Sequence, residues 1–335
     1  MRSTTSTWCW SASRPGTPHR SRPDRRSAVP LEPSRSETAH PEPTRFARVV
    51  VIGGAGQVGR LLRALFPGST EVTSVDVVTS AGDGAPSLVA DATRPDAALR
   101  AALGAADAVV LALPEGPALA AMSACAPLLP PGALLVETLS VKHAAAELAT
   151  ALAARHALQA CGLNPMFAPE LGFSGRAVAL VPIAPGPRVD ALERLIGAAG
   201  GRVARVSPDE HDRAASVMQA ATHAAVLALG HVVATSGVSP DVLVELAPPP
   251  HRTVLALLAR ISGGVPEVYR DVQAGNPDAP EVRARMSGFL LGLGDLASDP
   301  DRFARCLAEL SAALGEQAGP LRAHCRALFE ATPKS

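Results

Sequence analysis

The chain predicts an α/β domain built on a mostly parallel sheet, followed by an all-α domain. Three observations predict this. From about residue 48 to 206, short apolar β-branched runs alternate with amphipathic stretches, the pattern of strand and helix in turn. A glycine-rich turn joins the first strand to the first helix, and beyond Ser207 only helical periodicity remains. The expected boundaries are a tail over 1–45, an α/β domain over 46–207 and a helical domain over 208–332.

The tail holds eight Arg against four acids and seven Pro, with almost no aliphatic residues. It cannot bury enough apolar surface to offset its ordering entropy, so disorder is expected. It lacks the apolar core of a secretory signal, and an over-extended start site is the plainer explanation. Both tryptophans, Trp8 and Trp10, fall within it.

The first strand, Arg48–Ile52, is continuous and apolar, as a buried parallel strand should be. It runs into Gly53-Gly54-Ala55-Gly56-Gln57-Val58-Gly59, and a helix follows over Val58–Phe66. Gly54, Gly56 and Gly59 form G-x-G-x-x-G between a strand and a helix. That context suits a turn whose backbone approaches a pyrophosphate, with Gln57 and Val58 opening a helix aimed at its charge. The domain is therefore expected to be of the Rossmann kind. A second strand, Glu71–Val78, carries Asp76, 22 residues beyond Gly54, where a carboxylate meets a ribose 2′-hydroxyl. No arginine follows in Val77–Gly84 to receive a 2′-phosphate, which favours NAD over NADP.

The alternation continues with a strand over Ser87–Asp91, a helix over Pro95–Leu103 opened by its proline, and a strand over Ala108–Leu113. Pro114 ends that strand and begins the loop on the nicotinamide side. A helix over Pro117–Leu129 and a strand over Ala133–Glu137 lead to the turn Thr138-Leu139-Ser140-Val141-Lys142 and a helix from His143 to Ala154. Ser140 follows a strand's C-terminal end and should point into the crevice where open α/β sheets bind ligands. Lys142 and Lys334 are the only lysines; Lys142 either faces that crevice or is a solvated first-turn residue. A strand over His156–Gly162 delivers Gly162-Leu163-Asn164-Pro165-Met166-Phe167-Ala168-Pro169, which has neither periodicity. Its prolines predict an irregular, stiff loop. Asn164 in it either faces a ligand or caps a turn. A strand over Ala177–Ile183, a helix over Val189–Ala199 and a strand over Arg202–Val206 complete the domain.

Ser207-Pro208-Asp209-Glu210 is a helix start: a capping serine, a first-turn proline, and acids that complement the dipole. The helix should run to about Ala234, buried nearly all round, with His211 and Asp212 as capping or packing groups. Gln219 and His223 share a face, either lining a cleft or forming a core pair. Arg252, at the mouth of a helix after Pro248-Pro249-Pro250, either meets a carboxylate through its forked donors or lies in solvent. Further helices through Val282–Leu296 and Asp301–Thr332 should bury against a symmetry mate.

Composition narrows the function. The 335 residues are 47% apolar and carry 31 basic against 31 acidic residues, a balance that points to no nucleic-acid partner. Five scattered cysteines without metal-like spacing fit a reducing cytoplasm, free thiols and no metal site. No uninterrupted apolar run reaches the length of a membrane span, so no membrane partner is expected.

The glycine turn, Ser140-Val141-Lys142, Gly162–Pro169, Glu210-His211-Asp212, Gln219-Ala220-Ala221-Thr222-His223 and the Arg252 region, in this order, resemble the prephenate dehydrogenase family. The resemblance implies a Rossmann domain, an all-α dimerisation domain and a homodimer. It also implies oxidation of a cyclohexadienyl acid by NAD(P), with loss of CO2 as the ring aromatises. It places Ser140 near the C4 substituent, Arg252 on the ring carboxylate, and His223 and Lys142 along the substrate cleft. At Asn164 the family's motif has a histidine, whose imidazole suits a hydroxyl that sheds its proton as hydride leaves C4. An amide cannot accept that proton, but its oxygen can accept a hydrogen bond from an ammonium without ever becoming positive. The departure therefore resembles the branch that acts on 4-amino-4-deoxyprephenate. A prephenate or arogenate dehydrogenase that tolerates Asn is the nearest rival, and an NAD-binding sensor without chemistry is another. A β-hydroxyacid dehydrogenase would want a lysine on the first helix of the second domain, and none lies between Lys142 and Lys334.

Overall fold

The computed structural model describes residues 45–78 and 86–331, so the expectations for the tail and for residues 79–85 lie outside the described residues. The α/β part runs β1 (Arg48–Ile52), α1 (Gln57–Arg63), β2 (Glu71–Asp76), β3 (Ser87–Val89), α2 (Ala97–Gly104), β4 (Ala108–Leu111) and α3 (Glu115–Cys125). It continues with β5 (Leu134–Glu137), α4 (His143–His156), β6 (Gln159–Pro165), β7 (Ala177–Ala184), α5 (Pro187–Ala198) and β8 (Arg202–Arg205). The eight strands lie in the order β3-β2-β1-β4-β5-β6-β7-β8. All pairs are parallel except β6 with β7. The order reverses between β1 and β4, which opens a crevice beyond their C-terminal ends.

The sheet is covered on both faces, as parallel strands require. One core joins Val50, Ile52 and Leu135 to Leu99 of α2, Met122 of α3 and Ala149 of α4. The opposite core joins Val51, Leu134 and Leu163 to Leu62 of α1 and to Leu192 and Ile196 of α5. Period-two alternation sends neighbours on one strand into opposite cores. Pro95 does not open α2: Asp96 caps it, its carboxylate accepting the Leu99 amide at 2.8 Å.

The stretch expected to be an irregular loop is strand through Pro165. Leu163 pairs with Leu180, Asn164 with Ala179 and Pro165 with Val178 of β7. Pairing with a strand further along the chain overrides the weak local pattern, and Pro165, which lacks an N–H, is accommodated as the terminal residue.

Ser207 caps α6 (Pro208–Ala215), as the sequence predicts, and Glu210, expected only to complement the dipole, closes a reciprocal capping box with it. A π-helical segment, Ser216–Ala221, joins α6 to α7 (Thr222–Thr235). The rest is α8 (Pro240–Glu245), α9 (Pro249–Ser262), α10 (Pro266–Gly275), α11 (Ala279–Ala297), α12 (Pro300–Ala313) and α13 (Ala318–Ala331). The continuous helix Pro208–Thr235 is not buried all round: only 11% of its most apolar window is buried, and Val217 and Val232 are each 59% exposed. By length and composition this 28-residue helix, through an 18-residue window of mean hydropathy 1.5, is apolar enough to cross a membrane, although no uninterrupted apolar run in it reaches that length. Ser216, Gln219, Thr222 and His223 interrupt the apolar runs along it, whereas a window average passes over them. Later helices also leave apolar residues in the open, Leu290 and Leu291 of α11 among them.

Candidate active site

The glycine turn is shaped by close approach. Gly53 has φ +78°, and a Cβ there would stand 2.1 Å from the Ala112 carbonyl oxygen beyond β4. A Cβ on Gly59 would stand 2.1 Å from the Gly53 carbonyl oxygen, so α1 can start directly on the turn. Gly56 caps α1 with no side-chain bond to its free amides and lies exposed, as does Gln57, while Val58 packs on the core. Those amides and the helix dipole suit an anion. Asp76 stands beside the turn at the end of β2: Oδ2 accepts the Ala55 amide at 3.1 Å and Oδ1 the Val77 amide at 2.8 Å. Arg63 donates to the Gly54 carbonyl at 3.2 Å and Arg60 to the Ala55 carbonyl. These two braces were not singled out in the sequence, where they read as ordinary helix-surface residues. Pro114 caps α3 just past β4, across the same crevice. The donor set and the room left by the glycines fit a dinucleotide.

Asn164, 4% exposed, lies deeper. Its Nδ2 is 3.1 Å from Nε2 of His211, and Nδ1 of His211 is 2.8 Å from Oδ1 of Asp212. Asp212 also accepts the backbone amides of Lys142 at 2.8 Å and His143 at 2.9 Å. Burial alone would raise the Asp212 pKa; the bonds from His211 and from those two amides overcome it, leaving the pKa below the usual carboxylate value. Asn276 donates to the Asp212 carbonyl at 2.8 Å and so ties the start of α11 to α6. His211 and Asp212, expected only to cap or pack, thus join Asn164 to the loop of Ser140, which is half-buried.

Beneath them lies an ion pair with no exposure. Nζ of Lys142 is 2.9 and 3.1 Å from the two oxygens of Glu137 and 2.9 Å from the Leu163 carbonyl. Lys142 is neither solvated nor turned to the crevice: three protein acceptors match its three N–H bonds, so it braces β5 against β6. Burial raises the Glu137 pKa, and Lys142 opposes the rise. A Cβ on Gly162 would sit 2.1 Å from Glu137 Oε1. Gly162 and Asn164 share a sheet face by period two, one making room for the pair and the other meeting His211.

Gln219 lies within the π-helical turn and His223 just after it, and they do not bond each other; Gln219 Oε1 and His223 Nδ1 are buried without a hydrogen-bond partner. His223 stacks edge-on against Tyr269, with centroids 5.0 Å apart. Burial, then the nearby Arg260, lowers its pKa, so it is held neutral. A buried amide oxygen and a buried ring nitrogen without partners at a π-turn suit a cleft that takes a ligand's polar groups. Arg252, in the first turn of α9, donates to the Val244 carbonyl at 3.2 Å and joins none of the bonds around Asn164; α9 packs on α7. Among the described residues no group of His, Cys, Asp and Glu could hold a metal ion.

Residues 207–290 match the family "Prephenate dehydrogenase, dimerization domain". Over 290 residues the chain is 46% identical to a 4-amino-4-deoxyprephenate dehydrogenase of Streptomyces pristinaespiralis, covering 85% of this chain and 97% of that one. Among solved structures it shares its fold with the prephenate dehydrogenase of A. aeolicus, determined with hydroxyphenyl propionate and NAD+. That match has a TM-score of 0.61 at 17% identity, over 84% of this chain and 99% of that one. The arogenate dehydrogenase of Synechocystis gives a TM-score of 0.55 at 19% identity, over 83% and 99%. On the extent of the Streptomyces match, the chain belongs to the prephenate dehydrogenase family.

Proposed function

We propose that the protein catalyses the NAD-dependent oxidative decarboxylation of 4-amino-4-deoxyprephenate to 4-aminophenylpyruvate, CO2 and NADH, in secondary metabolism of the antibiotic-forming kind. The 46% identical relative carries that substrate in its name. The observation in this chain that carries the reading is Asn164, buried and held by its Nδ2 on His211. That contact commits the amide nitrogen and leaves Oδ1 as the end turned from His211. An oxygen so placed accepts from a C4 ammonium, which a histidinium would repel.

When bound, NAD+ supplies the hydride acceptor. The exposed Gly56 end of α1 would face its pyrophosphate, Asp76 its ribose and Pro114 its nicotinamide side. Asn164 orients the C4 amine and Ser140 lies beside it. His223 lines the cleft and Arg252 holds the ring carboxylate. Lys142 serves the site through Glu137 and the β6 backbone rather than by touching substrate. Loss of hydride from C4 and of CO2 from C1 balances without a net proton for the free amine, and an ammonium sheds one.

The exposed apolar helices and the matched dimerisation segment support a homodimer. Free Cys125, Cys161, Cys306 and Cys325 support a reducing cytoplasm. Asn164→His tests the substrate: prephenate turnover should rise and amino-substrate turnover fall. If neither rate moves, Asn164 does not face C4; a wild-type preference for prephenate over the amino substrate would return the reading to a prephenate or arogenate dehydrogenase.

A further inference from the structure

We infer that His211 and Asp212 are the positioning residues that set substrate choice, because they fix which end of the Asn164 amide faces the ring. The inference rests on the functional reading above. An amide has one donating and one accepting end, and its direction is set by whatever it meets. Here Asn164 Nδ2 meets His211 Nε2 at 3.1 Å, so Nε2 must offer a lone pair. The imidazole proton then sits on Nδ1 and is donated to Asp212 Oδ1 at 2.8 Å. Asp212 can only accept while ionised, and the Lys142 and His143 amides hold it in that form. The direction therefore passes from a carboxylate through one imidazole tautomer to an amide, and ends as an oxygen turned from His211. Reversing the tautomer would make Nε2 a donor, require Oδ1 in return, and present the NH2 group to an ammonium.

Asp212→Asn performs that reversal with little change of shape. Its oxygen, in the place of Oδ2, keeps the His143 amide at 2.9 Å and the longer Lys142 contact at 3.1 Å, while its NH2, in the place of Oδ1, gives up the shorter Lys142 contact, donates to Nδ1 and drives the proton to Nε2. The KM for 4-amino-4-deoxyprephenate should then rise roughly 10- to 100-fold, the worth of a hydrogen bond to a charged group. The KM for prephenate should stay largely unchanged, because a hydroxyl can donate or accept. An equal loss for both ring acids, or none for either, overturns the inference.

Nitrogen-15 NMR of histidine-labelled wild-type protein provides a second readout that needs neither substrate nor the variant's stability. A protonated Nδ1 and a bare Nε2 at His211 are expected. An Nε2–H tautomer or an imidazolium overturns the inference even if Asp212→Asn fails to fold. Should the wild-type enzyme not turn over the amino substrate, the functional reading fails, while the tautomer still reports on the positioning chain.

Discussion

Gly162→Ala should be among the most damaging single-carbon additions to this protein. The new Cβ would lie 2.1 Å from Glu137 Oε1, 3.2 Å from its Cδ and 3.1 Å from Lys142 Nζ. Ordinary contact is about 3.5 Å, so more than an ångström must be found somewhere. The strand cannot supply it, because Gly162 is paired with Glu137 on β5 and Val181 on β7. The carboxylate must swing instead, which breaks both of its bonds to Lys142 and strands a wholly buried ammonium on the Leu163 carbonyl alone. Breaking a buried pair in this way costs about 3–5 kcal/mol. Denaturant unfolding should show the midpoint fall with an unchanged slope. In a Glu137→Leu/Lys142→Met background the same alanine should cost far less, since the carboxylate it strikes is gone. A loss below about 1 kcal/mol in the wild-type background, within the range of ordinary substitutions, would refute the reasoning.

Other outcomes follow from the same geometry. Burial pushes the thiols of Cys125 and Cys161 up to about 12, so neither should react with iodoacetamide at neutral pH until the protein unfolds; mass-mapped labelling of either in the native state would contradict this. The Asp212 pKa is lower folded than unfolded, so its contribution to stability is complete above about pH 4 and lost as pH falls through the folded value. Acid titration of stability should therefore be flatter below pH ~4 in Asp212→Asn than in wild type. Asp76→Ala should weaken NAD binding roughly 10- to 100-fold by calorimetry, by removing a charged partner of the ribose; unchanged affinity would remove Asp76 from the cofactor site.

Much of this was legible where chemistry is local. The glycine turn follows from a strand, three spaced glycines and a helix, and the Ser207 cap from four consecutive residues. What stayed hidden depends on distant partners. Asn164 looked like a loop residue because the Leu163–Pro165 end of its strand pairs with β7 alone. His211 and Asp212 looked like caps because Asn164 lies 47 positions away and the Lys142 amide 70. Lys142 drew notice for its rarity, yet nothing in the local sequence shows that its ammonium turns inward to Glu137. Asn276 carried no signal, since an asparagine ahead of a helix usually caps a turn; its Oδ1 does so here for the Asp278 amide, while its Nδ2 also reaches Asp212. Exposed apolar helices misled in the other direction, because an apolar composition does not tell a buried face from an open one.

The central claim is that a neutral oxygen at position 164 selects an amine at C4. It is tested most directly by kcat/KM of the wild-type enzyme for 4-amino-4-deoxyprephenate and for prephenate, each at saturating NAD+. A ratio favouring the amino substrate by about 10²-fold or more is predicted, the lower range of what a missing general base costs a hydroxyl substrate. A ratio at or below unity would contradict the account.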